Sequence, residues 1–409
     1  MPERAHKRLP AAAERGTAVS VVVLAPPPQA SAPRAAGRDR RLDVFRGIAL
    51  AMIFVNHVPG TVYETLTSRN FGFSDAAEGF VFMAGVSAAL AYGPGLAAGP
   101  RTPTVLRVWG RSWTLYLVHL LILAWALAIA AGTERFFGVP DLLSANNIQH
   151  LGSDLTGVLV GLPLLTHQPG YVNILPLYMI LLLAAPAAIV AAHRHPKATM
   201  AASVALWAVA GVFTIDLPNF PTEGGWFFNP LAWQILFVAG LCTGLALRRG
   251  RRFVPASPWL FALSAGYLVL SLVWVRWPAF AAVGNEAMAG LARLGAPPLL
   301  RDFDKTYVAL PRLLHILCLV YVVSCLAPLR RFSESRWAAP LALLGRQALP
   351  VFALGTILAF LAQAGRAVGP DSILLDTVLI ATGLALMLAM AAAREWARGQ
   401  TRPVPALPR

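Results

Sequence analysis

The chain has 409 residues, of which 57% are hydrophobic and only 13% charged, with a mean hydropathy of +0.61 and a formal net charge of +15. That balance excludes a soluble globular domain. The cysteines Cys242, Cys318 and Cys325 fall in apolar stretches, so no disulfide framework or metal-ligand spacing is visible and they read as packing thiols.

The first forty residues are rich in Ala, Pro and Arg and lack the apolar content to pack, so residues 1–40 are expected to form a disordered cytoplasmic tail. The run Val19 to Ala25, followed by Ala30-Ser31-Ala32, faintly imitates a signal peptide. Its apolar core is minimal, and cleavage would strand Arg38, Arg40, Arg41 and Arg46 on the outer side, so it is read as part of the tail. Hydropathy then predicts ten spanning helices, at 46–66, 75–93, 105–131, 171–192, 199–215, 229–247, 258–275, 308–328, 341–363 and 372–393. A shorter apolar piece, 155–165, reads as re-entrant or interfacial. The expected fold is an all-α, polytopic transmembrane helix bundle over 41–393, followed by a cytoplasmic tail over 394–409. Charge bias orients it: with the N-terminus inside, 26 of the 34 Lys and Arg residues fall on the cytoplasmic side. The net charge follows from that bias, so it implies contact with anionic lipid and not with nucleic acid.

Inside the first predicted span, Arg46 and His57 stand on one helical stripe, a charge at the helix mouth and an imidazole partway along. An ionisable group at membrane depth costs a few kcal/mol, so such a stripe marks a protein interior or a water-filled cavity. Other polar residues fall into two layers. Asp43, Arg46, Arg107, Arg111, Arg346 and Gln347 lie toward the cytoplasm; Asp75, Glu78, Asn173, Tyr178, Asn229, Trp233, Gln234, Lys305, Arg312 and His315 lie on the far side, with His57 between them. Each has a plainer explanation as well. Asp43 and Arg46 could be an i,i+3 headgroup anchor, a lone buried His could be structural, and Ser74 could cap a helix whose first turn holds Asp75 and Glu78. Arg312 could pair with Asp75 or Glu78.

RLDVFRGIALAMIFVNH (41–57), FGFSDAAEGFVFMAG (71–85), GWFFNPLAWQILFVAG (225–240), DKTYVALPRLLHILCL (304–319) and LLGRQALPVFALGT (343–356) are similar to successive blocks of the OpgC family. These are bacterial inner-membrane proteins resembling succinyltransferases of osmoregulated periplasmic glucans. The similarity runs from about residue 40 to 365. The spacing of Arg46 and His57 also resembles the wider acyltransferase-3 family, in which the arginine is associated with acyl-CoA and the histidine with acyl transfer.

The resemblance implies that 41–393 is a transmembrane acyltransferase domain of the bacterial inner membrane with both termini cytoplasmic. Acyl-CoA, succinyl-CoA by preference, is the implied donor and a glucan or other carbohydrate the acceptor, with no metal. On that reading Asp43, Arg46, Arg107, Arg111 and Arg346 receive the donor. His57 is base or nucleophile, oriented by Asp75 or Glu78. Asn229, Trp233, Gln234, Lys305, Arg312 and His315 serve the acyl end and the acceptor, with Trp233 a stacking surface and Arg312 the cation for a succinyl carboxylate. The rival expectations are a secondary transporter or flippase for an anionic or glycan substrate, and a structural membrane anchor.

Overall fold

The computed structural model describes residues 39–139, 142 and 146–400, so the N-terminal tail up to Arg38 and the last nine residues lie outside the described residues. The principal helices are α1 (Arg40–Asn56), α2 (Ala76–Ala97), α3 (Thr102–Phe137), α4 (Ile174–Arg194), α5 (Pro196–Val212), α6 (Pro230–Arg248), α7 (Pro258–Arg276), α8 (Pro278–Arg293), α9 (Leu310–Cys325), α10 (Ala327–Glu334), α11 (Ala339–Arg346), α12 (Ala348–Val368) and α13 (Ile373–Gln400). Among the described residues the only β pairing is an isolated bridge between Pro218 and Gly225.

Every predicted span has a helical counterpart, but among the described residues seven helices are long and apolar enough to cross a membrane, or eight if α9 and α10 count as one bent span. The protein is a multi-pass membrane helix bundle. The two shortfalls, α1 and α5, have 17 residues each. Helix α1 begins at Arg40, capped by the Asp39 side chain accepting from the Arg41 N–H, and stops at Asn56 where Pro59 and Gly60 (φ +84°) interrupt it. His57 is therefore the C-cap of α1 and not a residue partway along a helix reaching 66. Helices α9 and α10 meet at a 73° bend ahead of Pro328, and Pro350, with no N–H for the Arg346 carbonyl, goes with the break between α11 and α12 at Gln347. Helix α8 fills what was read as a loop. The 155–165 piece holds only a short helix, Leu155–Gly161, and α13 runs on through residues expected to be tail.

Helix α2 is central, packed on α6, α4 and α1. Small residues let these helices close: a Cβ added at Gly240 of α6 would lie 2.1 Å from the Phe82 carbonyl oxygen of α2. The α1–α11 contact is as tight, with the Gly345 position 1.8 Å from the Asp43 carbonyl oxygen. Helix α6 is 72% buried over its apolar window and α7 only 11%, which makes α6 core and leaves α7 an outer face for lipid. Exposed Trp109, Trp113, Leu117, Leu121 and Trp125 give α3 a similar apolar outer stripe.

Candidate active site

A cavity of about 750 Å³ opens between the end of α1, the start of α2, the Gly170–Ile174 segment, the α7–α8 pair and the segment before α9. Of the polar residues singled out in the sequence, it brings together His57, Ser74, Asp75, Asn173, Lys305 and Arg312. Asn56, Arg69, Tyr171, Trp274, Asn285 and Phe303 join them, none of which stood out in the sequence.

The His57 ring packs against Tyr171 with centroids 4.7 Å apart, and its Nδ1 is buried with no hydrogen-bond partner among the described residues. Tyr171 takes φ +66°, a conformation unfavourable for a bulky residue, which the surrounding contacts must impose. Among the described residues His57 has no hydrogen bond or ion pair to a carboxylate, although Asp75 lines the same cavity, so the expected orienting role of Asp75 or Glu78 has no direct contact behind it. What holds His57 is its backbone: Gln363 Nε2 of α12 donates to the His57 carbonyl at 2.6 Å. Fully buried Asn146 in turn donates to Gln363 Oε1 (3.0 Å) and accepts from the Gly170 N–H on its own carbonyl (2.8 Å). One buried amide pair thus ties the His57 turn to the segment carrying Tyr171. Three residues after Gln363, Arg366 donates to the Pro59 and Gly60 carbonyls and pairs with Asp376 at 2.7 Å.

The two carboxylates build the start of α2 instead. Asp75, not Ser74, is the N-cap: its side chain accepts from the Ala77 N–H (2.8 Å), and Glu78 Oε2 accepts from the Asp75 N–H (3.0 Å), completing a capping box. Asp75 is ion-paired to Lys305 and lies 3.7 Å from the Arg312 guanidinium, which is paired to Glu78. Ser74 is hydrogen-bonded to His315 Nδ1 at 2.7 Å, so His315 braces the cap and does not line the cavity.

Three expected acceptor residues lie elsewhere. Trp233 is 0% exposed and donates its indole N–H to the Lys305 carbonyl (3.0 Å), so it is no stacking surface. Asn229 caps α6, and Gln234 is bonded to Ser203 on α5. Their polarity serves helix packing, which explains why the sequence set them apart without revealing the cavity.

On the other side, Arg46 donates to the Gly345 carbonyl (3.3 Å), to Asp43 Oδ1 (3.5 Å) and to the Ser87 hydroxyl, joining α1 to α11 and α2. Arg346 and Gln347 both reach Glu395 on the α13 extension, at 3.2 and 3.0 Å. Arg107 is exposed on α3. Arg111 and Tyr178 line a second, narrow apolar pocket of about 50 Å³, and Ile174 and Phe352 belong to the walls of both pockets.

These features define a class: an all-helical, multi-pass membrane protein with an inner cavity walled by charges and aromatic rings. The family model described as OpgC protein matches residues 38–399, nearly the whole chain. The chain belongs to the OpgC family. That membership suggests a membrane acyltransferase of glucan modification. Searches of curated proteins and of solved structures return no match.

Proposed function

We propose that the protein is a transmembrane O-acyltransferase of the bacterial inner membrane that moves an acyl group, succinyl by preference, from cytoplasmic acyl-CoA to a hydroxyl of a periplasmic glucan. The observation that carries this is the pair of adjoining pockets: His57 on the wide one, Arg111 on the narrow one, and Ile174 with Phe352 on the wall of each. The charge bias of the sequence puts Arg46, Arg107, Arg111 and Arg346 on the cytoplasmic side, where the phosphates of acyl-CoA would meet guanidinium groups. The narrow apolar pocket suits the uncharged pantetheine arm.

In the reaction, the sugar hydroxyl oxygen attacks the thioester carbonyl while neutral His57 takes its proton. The C–S bond breaks, and the imidazolium returns the proton to the leaving thiolate, so ester and free thiol form with no change at the enzyme. The unmet hydrogen-bonding capacity of His57 and its place on the cavity wall support this role. Both lining cations are ion-paired, Arg312 to the wholly buried Glu78 and Lys305 to Asp75; the cation offered to a succinyl carboxylate is Lys305, whose ammonium keeps further N–H donors beside the one Asp75 takes and stands above the Phe227 and Phe228 rings. The test is consumption of the donor. Purified protein given acyl-CoA and glucan should release free thiol and acylated glucan together; uptake of glucan with the thioester intact would mean a transporter instead.

A further inference from the structure

Two of the residues that the α7–α8 hairpin adds to the wall of the large cavity, Trp274 and Asn285, play no part in the reaction above. We infer that they form a saccharide subsite, with the Trp274 indole as the platform for a pyranose ring and the Asn285 amide as its hydrogen-bonding neighbour. This rests on the acyltransferase reading for its choice of a sugar, and on three observations of its own.

The indole is locked. Phe73 and Phe303 meet it edge-on at centroid distances of 5.7 Å each, and Phe280 does so at 6.2 Å. Helix α8 passes so close beneath it that a Cβ at Gly284 would lie 2.4 Å from the ring, so only glycine leaves the indole where it is. The indole N–H is also engaged, donating to Asn285 Oδ1 at 3.3 Å. That bond fixes which way the amide of the exposed Asn285 faces and leaves its NH₂ as a donor on the cavity wall.

A rigid ring beside a fixed amide matches the two-sided chemistry of a pyranose, which carries an apolar C–H face and hydroxyls at its edge. Lipid tails would have no use for the amide. Trp274 and Asn285 are themselves uncharged, and the lining cations Arg69, Lys305 and Arg312 carry carboxylate partners in Glu64, Asp75 and Glu78, so this pair suits a neutral, hydroxyl-bearing ligand. The volume of the cavity lies within the range of pockets that enclose a ligand of drug size. Trp233, the residue the sequence would nominate for the platform, is wholly inside the bundle.

The experiment compares Trp274→Ala, Trp274→Phe and Asn285→Ala with the wild-type protein in detergent. Binding of a linear glucose oligosaccharide is followed by calorimetry, alongside steady-state kinetics with acyl-CoA. Loss of one aromatic contact should weaken oligosaccharide binding and raise the acceptor KM by about tenfold in Trp274→Ala. Phe at this position should recover most of the loss, and the KM for acyl-CoA should stay within twofold of wild type in all three variants. Wild-type oligosaccharide affinity in folded Trp274→Ala, or a matching rise in the acyl-CoA KM, overturns the subsite. Should Trp274→Ala misfold, unchanged binding in both Trp274→Phe and Asn285→Ala overturns it equally. A wild type that binds the oligosaccharide but releases no thiol refutes the acyltransferase reading alone, and the binding comparison still decides the subsite.

Discussion

Replacing Arg312 by Gln separates a structural arginine from a substrate-binding one. Glu78 is 0% exposed, and its two oxygens are divided: Oε1 accepts from Arg312 Nε at 2.9 Å, and Oε2 accepts from the Asp75 N–H at 3.0 Å. Arg312→Gln leaves a buried carboxylate without its counter-charge, which costs about 3–5 kcal/mol when one member of a buried pair is removed. Against a total stability of roughly 5–15 kcal/mol, that is a large share. Glu78→Gln should cost less, about 1–3 kcal/mol, because Arg312 keeps Asp75 at 3.7 Å while the cap loses charge but not shape. In the double variant neither charge is stranded, so its loss should fall short of the sum by about 2 kcal/mol. The assay is denaturant-induced unfolding in mild detergent, followed by near-ultraviolet circular dichroism, with succinyl-CoA and acetyl-CoA activities measured on the same samples. Wild-type stability in Arg312→Gln combined with selective loss of succinyl transfer would refute the argument and make Arg312 the carboxylate's partner.

Two further outcomes follow from the geometry. Gln363→Leu removes the donor that clamps the His57 carbonyl, so kcat should fall by about tenfold with both KM values near wild type; an unchanged kcat would mean that the clamp does not position His57. Asp216, in the loop after α5, has its carboxyl pushed up from 3.8 to about 6, chiefly by burial, with the Leu217 and Trp226 N–H groups opposing that rise and the nearby Asp304 charge adding to it. Because the folded value exceeds the unfolded one, the stability it contributes is present below 3.8 and is lost as the pH rises through about 6. Thermal unfolding between pH 4 and 7 should therefore decline in the wild type and be flatter in Asp216→Asn, and parallel curves would contradict that origin.

The helical class and the approximate place of each helix were legible because apolar runs near 20 residues leave little choice in a bilayer. The errors came from punctuation inside those runs. Pro59 and Gly60 end α1 ten residues before the apolar content does, and Pro350 accompanies the break that isolates α11. Polarity found His57, Lys305, Arg312, Asp75 and Asn173, which share one cavity, but it equally found Asn229, Trp233 and Gln234, whose polar atoms close gaps between helices. Hydropathy cannot tell those two uses apart. The cavity's aromatic side was hidden for the opposite reason: Tyr171, Trp274 and Phe303 look like ordinary membrane residues until helices distant in sequence bring them together. Gln363 was missed because a single amide in an apolar helix has no local pattern to mark it.

The most direct test of the account uses proteoliposomes with glucan sealed inside and acyl-CoA, labelled in its acyl group, added outside to protein oriented with its basic face outward. The account predicts label esterified to the enclosed glucan in step with thiol released outside, and neither product with His57→Ala protein that still binds acyl-CoA. Label transfer that persists in His57→Ala, or thiol release with no label reaching the enclosed glucan, would contradict it.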